Sequence, residues 1–200
     1  ITSKAILKGD KNRLLDYNVI EHPLVLQIGG SDPVEMAACA VIAKQWGYDE
    51  VNINVGCPSE RVLSGSFGAC LMKEPDLVAS CVESMIEACD IPVSVKSRIG
   101  IDEMESYEQL GDFVYRIHKK GCQHFIIHAR KAWLQGLSPK QNRTIPPLNY
   151  PWVYQIKKDF PRLKITINGG ITSTKEVLNH LKQVDGVMLG RAIYNRPYTL

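Results

Sequence analysis

Apolar positions along the chain follow two rhythms. Short Val/Ile-rich runs read as strands: LVLQIGG (24–30), VNINVG (51–56), IPVSVKSR (91–98), HFIIHAR (124–130), KITINGG (164–170) and GVMLGRA (186–192). SKAIL, near the start, is a weaker strand candidate. The stretches between them carry helix signals. Asp32-Pro33-Val34-Glu35 offers an N-cap, a proline at the first helical position and a capping-box Glu ahead of MAACAVIAKQWG. Pro75 opens DLVASCVESMIEAC, and MESYEQLGDFVYRIHKK stops at Gly121, a C-cap glycine. YPWVYQIKKDF fills a further gap, and Ser173 with Glu176 forms a capping box before VLNHLKQ. Strand–helix alternation of this kind predicts a parallel α/β sheet. The number of units, and the absence of a glycine-rich Rossmann fingerprint after any strand, favour a TIM-type (β/α)8 barrel over an open doubly wound sheet.

Parity within the strands gives the first chemical signal. Successive strand side chains point to opposite faces, and a parallel sheet is normally apolar on both. Here Gln27, Asn54, Lys96, His128 and Asn168 sit near the carboxyl ends of five strands, each on the polar face of its run. That face would point into a barrel, at the rim where barrel active sites are built. Taken singly, a strand-end Asn or Gln usually serves its loop, and a single His usually sits satisfied in a core. Lys96 is harder to place so, because a lysine in an apolar strand must find an anion or give up its charge. Five at equivalent positions predict one converging site.

Two glycine-bearing strand ends suggest what the site holds. Asn168-Gly169-Gly170 and Gly190-Arg191 close the final two strands, where barrel loops often bind phosphate. Glycines let backbone N–H groups approach, and Arg191 supplies a cation. A phosphorylated ligand is expected.

Composition narrows the class without deciding it. With 44% hydrophobic and 22% charged residues over 200 positions, the chain reads as one globular unit, residues 1–200. No apolar run approaches the roughly 18 residues of a membrane helix, and no signal-peptide pattern opens the sequence, so a cytoplasmic protein without a membrane partner is expected. The six cysteines are scattered, with no Cys-x-x-Cys pair and no zinc spacing, which predicts free thiols and no metal. A net charge of +3 permits an anionic partner without demanding one.

QIGG, NINVGCPS, VSVKSRIG, IIHARKAWLQGLSPKQNRTIPPLNYP, TINGGI and VMLGRA follow one another as in the flavin-dependent tRNA-dihydrouridine synthases. The HARKAWLQGLSPKQNR run resembles the A subgroup, which acts on D-loop uridines. The resemblance covers essentially the whole chain. It implies that a first barrel strand would precede residue 1 and a helical tRNA-binding domain would follow residue 200, so both barrel ends are expected to be cut. It implies FMN as cofactor and NADPH as reductant, with Gln27, Lys96 and His128 against the isoalloxazine or ribityl part. Asn168, Gly169, Gly170, Gly190 and Arg191 would hold the phosphate. Asn54 would contact the flipped uridine with Arg130 nearby, and Cys57 would be the acid that protonates C5 after hydride reaches C6. Lys131, Lys140 and Arg143, with Trp133, would meet the tRNA from a loop longer than the usual βα connection. The full-length protein is expected to be monomeric. Two other readings stay open: a flavin barrel acting on a free pyrimidine, as a dihydroorotate dehydrogenase does, and a non-catalytic RNA-binding barrel.

Overall fold

The computed structural model describes residues 1–59 and 65–198. Among these, six parallel strands form one sheet in chain order: β1 (Val25–Ile28), β2 (Glu50–Val55), β3 (Val93–Arg98), β4 (His124–His128), β5 (Lys164–Asn168) and β6 (Gly186–Met188). Every pairing is parallel and joins consecutive strands, the topology of a barrel wall rather than of a doubly wound sheet. Register stacks Asn54 beside Lys96, Ile126, Thr166 and Gly186, and Arg98 beside His128, Asn168 and Met188. Lys96 on β3 reaches Asn168 on β5, and Glu50 on β2 meets His124 on β4. Side chains two strands apart touch because this face of the sheet is concave.

The other face is the apolar one. Val51, Ile53, Val55, Val95, Phe125, Ile127, Ile165 and Ile167 are all buried there. Helices α3 (Pro33–Gln45), α4 (Pro75–Ala88), α5 (Tyr107–Lys119) and α6 (Tyr150–Asp159) follow in sequence and cover it with Met36, Val82, Met85, Phe113, Ile117, Val153 and Ile156. Each fully buried side chain of this size contributes about 1.5–3 kcal/mol. Gly121, at φ +103°, ends α5 in the left-handed region, as its sequence predicts.

Three expectations change. SKAIL is not a strand: Ser3–Lys8 form helix α1, capped by the Thr2 hydroxyl on the Ala5 amide. Only Ile1–Thr2 run beside β1, where the Gly29 amide donates to Ile1 and the Ser3 amide to Gly29. A short apolar run carrying a capping Thr is equally compatible with either state, and the cap decides it here. Glu35 does not close a capping box: Asp32 caps α3, while the Glu35 carboxylate accepts from Ser3 Oγ at 2.8 Å and ties α3 to α1. Finally, β6 ends at Met188, and Arg191–Asn195 turn into a short helix, α8. A second short helix, α2 (Lys11–Leu15), and helix α7 (Thr174–His180), with its predicted Ser173–Glu176 box, complete the elements named here.

Candidate active site

The carboxyl ends of the strands open on a cavity of about 840 Å3. Gln27, Asn54, Cys57, Lys96, His128, Asn168, Gly169, Gly170, Gly190 and Arg191 all line it, so every residue expected at the cofactor and acid positions converges. Arg98, Arg143 and Arg196 line it too, and among the described residues no Asp or Glu does. A chain of net charge +3 thus gathers five cationic side chains around one opening.

Cys57 is held from three sides. The Asn54 side-chain oxygen accepts from the Gly56 and Cys57 amides at 3.0 and 3.1 Å. The Cys57 carbonyl accepts from the Ala69 amide at 2.9 Å, and its thiol lies 3.4 Å from Ser59 Oγ. Arg98 Nε then donates to the Gly56 carbonyl at 3.1 Å. The rigidity of this Gly-Cys-Pro turn therefore comes from Asn54 and Arg98 as much as from its proline. Cys39, Cys81 and Cys122 are buried, and desolvation pushes each thiol up to about 12, which leaves them inert.

Among the described residues, Lys96 pairs with no carboxylate. Its Nζ donates to Asn168 Oδ1 at 3.2 Å, and burial, with Arg98 beside it, lowers its pKa to about 8. His128 faces the same charges. Burial first, then Arg98, Lys96, Arg130 and Arg191, lower it from 6.5 to about 2, so its imidazole is neutral throughout the physiological range.

At the far wall, Asn168 also donates through Nδ2 to the Met188 carbonyl at 2.8 Å, which joins the ends of β5 and β6. Gly169 and Gly170 adopt φ +117° and +73°. A Cβ on the first would stand 2.5 Å from His128 and on the second 2.6 Å from Leu148, whereas one on Gly190 would meet nothing within 4 Å. Tyr150 Oη donates to the Gly169 carbonyl at 2.7 Å. Arg191 reaches the Arg143 carbonyl at 3.3 Å, joining this wall to the 130–143 loop.

The loop itself divides the cations expected to meet RNA. Arg130 turns away from the cavity, with its guanidinium on the Thr144 and Pro146 carbonyls. Lys131 pairs with Glu105 and lies over the Trp133 ring, 4.0 Å from its centroid. Lys140 is exposed, and Arg143 is exposed at the cavity mouth. Asn142, fully buried, braces the loop by exchanging hydrogen bonds with the Trp133 backbone at 2.8 Å in each direction.

The residue that sequence reading left out of the site is Arg98. It is 3% exposed and donates to the carbonyls of Gly56, Lys131 and Asn142, so one buried cation fastens the Cys57 turn to the long loop. Its parity with Lys96 in VSVKSR was the available signal.

Together these features define a parallel α/β barrel wall whose strand ends enclose a cavity lined by cations, with no carboxylate among the described lining residues, beside a half-buried thiol. A family model described as Dihydrouridine synthase (Dus) matches residues 1–200. The chain is 62% identical over 198 residues to a tRNA-dihydrouridine(20/20a) synthase of Synechocystis sp., covering 99% of this chain and 59% of that protein. It is 62% identical over 200 residues to the Shewanella oneidensis protein of the same name, and 58% over 198 residues to that of Escherichia coli, covering 59% and 60% of those proteins. The chain belongs to the dihydrouridine synthase family, whose fold is the TIM barrel, and spans about three-fifths of the length of these curated relatives.

Proposed function

We propose that this chain is the catalytic part of a tRNA-dihydrouridine synthase that reduces the C5=C6 bond of D-loop uridines, at the positions 20 and 20a carried in its relatives' names. The observation that supports this most is the placement of Cys57 at the edge of a cavity that holds five cations, a neutral His128 and, among the described residues, no carboxylate.

The residues present fit FMN. Gly169 and Gly170 form a cradle that side chains would fill, and Arg191 stands beside it with a positive charge for a phosphate. Lys96, partly charged, and His128, uncharged, border the middle of the cavity, where a flat ring system would lie against donors rather than against a fixed anion. FMN, when bound and reduced by NADPH, supplies the hydride for C6 of the uracil ring.

The chain's own task is then proton delivery and positioning. Asn54 and Arg98 fix the turn that aims the Cys57 thiol, and the thiol gives its proton to C5 as charge develops there. Asn54 keeps its Nδ2 for a uracil carbonyl, since its Oδ1 is taken by two backbone amides. A uridine must leave its stack to reach this depth. Arg143, at the cavity mouth, and Lys140, exposed on the same loop, would meet its flanking phosphates, with Arg130 and Lys131 as supports of the loop more than as direct contacts. The protein acts in the cytoplasm, where its tRNA substrate resides.

The test is mass mapping of dihydrouridine in tRNA treated with the purified full-length protein and NADPH. Conversion at positions 20 and 20a is expected. Reduction of free uracil or orotate with tRNA untouched would favour the free-pyrimidine reading, and RNA binding without flavin absorbance would favour a non-catalytic barrel.

A further inference from the structure

Below the cavity, the concave face carries a continuous chain of polar contacts. Gln27 meets Asn52 at 2.7 Å, and Asn52 meets Ser94 at 2.8 Å. Ser94 Oγ in turn bonds the Glu50 carboxylate, whose second oxygen lies 3.3 Å from His124 Nδ1. His124 Nε2 is 3.0 Å from Thr166 Oγ1. The chain spans β1 to β5, and Asn52 and Ser94 are almost wholly buried.

Hydrogen-bond logic gives this chain a direction. An ionised carboxylate only accepts, and a hydroxyl has one proton. Ser94 must therefore donate its proton to Glu50 and can only accept from Asn52. Asn52 must then turn its NH2 toward Ser94 and its oxygen toward Gln27. Gln27 must in turn donate its NH2 to Asn52, which leaves its own carbonyl oxygen for the cavity. Burial alone would raise the Glu50 carboxyl, but bonds from His124 and Ser94, with the charges of His124 and Lys164, hold it below its ordinary value and keep it ionised. The side-chain oxygen of Gln27 accepts from no residue among those described.

We propose that Glu50 is a positioning residue for the ligand: through Ser94 and Asn52 it locks the Gln27 amide so that its oxygen, and not its NH2, faces the cavity. That orientation matters because the surrounding lining is rich in donors. Lys96, Arg98, Arg143 and Arg191 can receive phosphate and carbonyl oxygens but not an N–H. Gln27 provides the acceptor that an imide N–H needs, and an oxidised isoalloxazine ring carries one such N–H. This inference rests on the FMN reading above. An amide free to flip would present the wrong atom part of the time, or compete for ring oxygens already served by cations.

The test is a double-mutant cycle on the full-length protein, read as FMN dissociation constants from flavin fluorescence. Gln27→Ala is expected to weaken binding roughly fivefold to tenfold, the scale of one neutral hydrogen bond. Glu50→Gln offers Ser94 a donor as readily as an acceptor, removes the direction, and should cost a similar factor. The combined variant should bind no more weakly than Gln27→Ala alone, because Glu50 acts only through that amide. Losses that multiply in the double variant, or a Glu50→Gln protein with wild-type affinity, would overturn the proposal. If Glu50→Gln does not fold, Ser94→Ala breaks the same chain one link later and must show the same lack of additivity with Gln27→Ala. A wild-type protein that binds no FMN overturns the functional reading and this inference together, while FMN binding with multiplicative losses overturns this inference alone.

Discussion

Two sets of polar side chains share the concave face, and they are satisfied in opposite ways. In the lower set, Gln27, Asn52, Ser94, Glu50, His124 and Thr166 bond one another from β1 to β5, and the one carboxylate is matched by its neighbours. In the upper set, Lys96, Arg98 and His128 on the strands, with Arg143 and Arg191 on the segments beyond, face a common cavity with no carboxylate among the described residues to balance them. A buried polar network that satisfies its members adds rigidity, and here it leaves only the Gln27 oxygen turned to the cavity. A one-signed cluster whose inner members are buried carries a desolvation cost that an anionic ligand would relieve, and the depressed Lys96 and His128 record that cost. The difference separates scaffold from site within one sheet, a few ångströms apart along the same strands.

Substitutions in the two sets should therefore fail differently. The largest effect is expected from Cys57→Ala, which should leave flavin binding intact and cut dihydrouridine formation by about 10²–10⁴-fold in a single-turnover assay with tRNA. Cys81→Ala, which removes one of the inert thiols, should leave the rate near that of the wild type. Next comes Arg98→Ala. It orphans the carbonyls of Gly56, Lys131 and Asn142, and at about 1–3 kcal/mol for each buried acceptor left unpaired the full-length protein should lose several kcal/mol in urea denaturation. Arg191→Ala, by contrast, should barely change stability but weaken FMN by about 1.5–3 kcal/mol, the value of a charge-assisted contact.

A smaller effect is set by pH. Lys96 titrates near 8 in the free cavity, and an anion bound there would raise that value, so binding takes up a proton above pH 8. FMN affinity should fall as pH rises from 8 to 9, by up to about tenfold, and Lys96→Met should abolish the slope. Stability of the ligand-free protein should move the other way. Its folded Lys96 holds its proton less tightly than the ordinary 10.5, so that group's penalty is relieved as pH climbs from 8 toward 10.5. His128 stays neutral in the folded protein, so FMN affinity should show no inflection from it between pH 5.5 and 7.5, whereas stability should fall as pH drops below 6.5, where only the unfolded state takes up that proton. The smallest change is Thr166→Val in the lower set, worth about 1 kcal/mol of stability with FMN binding unaltered.

Much of this was legible in the residues themselves. Strand parity alone brought Gln27, Asn54, Lys96, His128 and Asn168 to one rim, because a period of two leaves a polar face no other reading in an otherwise apolar parallel strand. What parity cannot show is which charges are already paired. Arg130 and Lys131 read as exposed RNA contacts, yet one turns onto the Thr144 and Pro146 carbonyls and the other onto Glu105, partners 14, 16 and 26 positions away. Arg98 was visible on the right face but silent, since only the fold brings Gly56, Lys131 and Asn142 to it. Glu50 lay just outside the strand that the pattern marked at 51–56; its place in the middle of a five-strand hydrogen-bond chain depends on register. SKAIL failed for a local reason, the Thr2 cap.

The central claim is that the upper set is built to neutralise a phosphate. Its most direct measurement is a paired titration of the full-length protein with FMN and with riboflavin, which differ only in that group. The structure predicts that FMN binds at least about tenfold more tightly, the scale of one or more charge-assisted contacts, and that Arg191→Ala removes most of the difference. Equal affinities for the two flavins would contradict it.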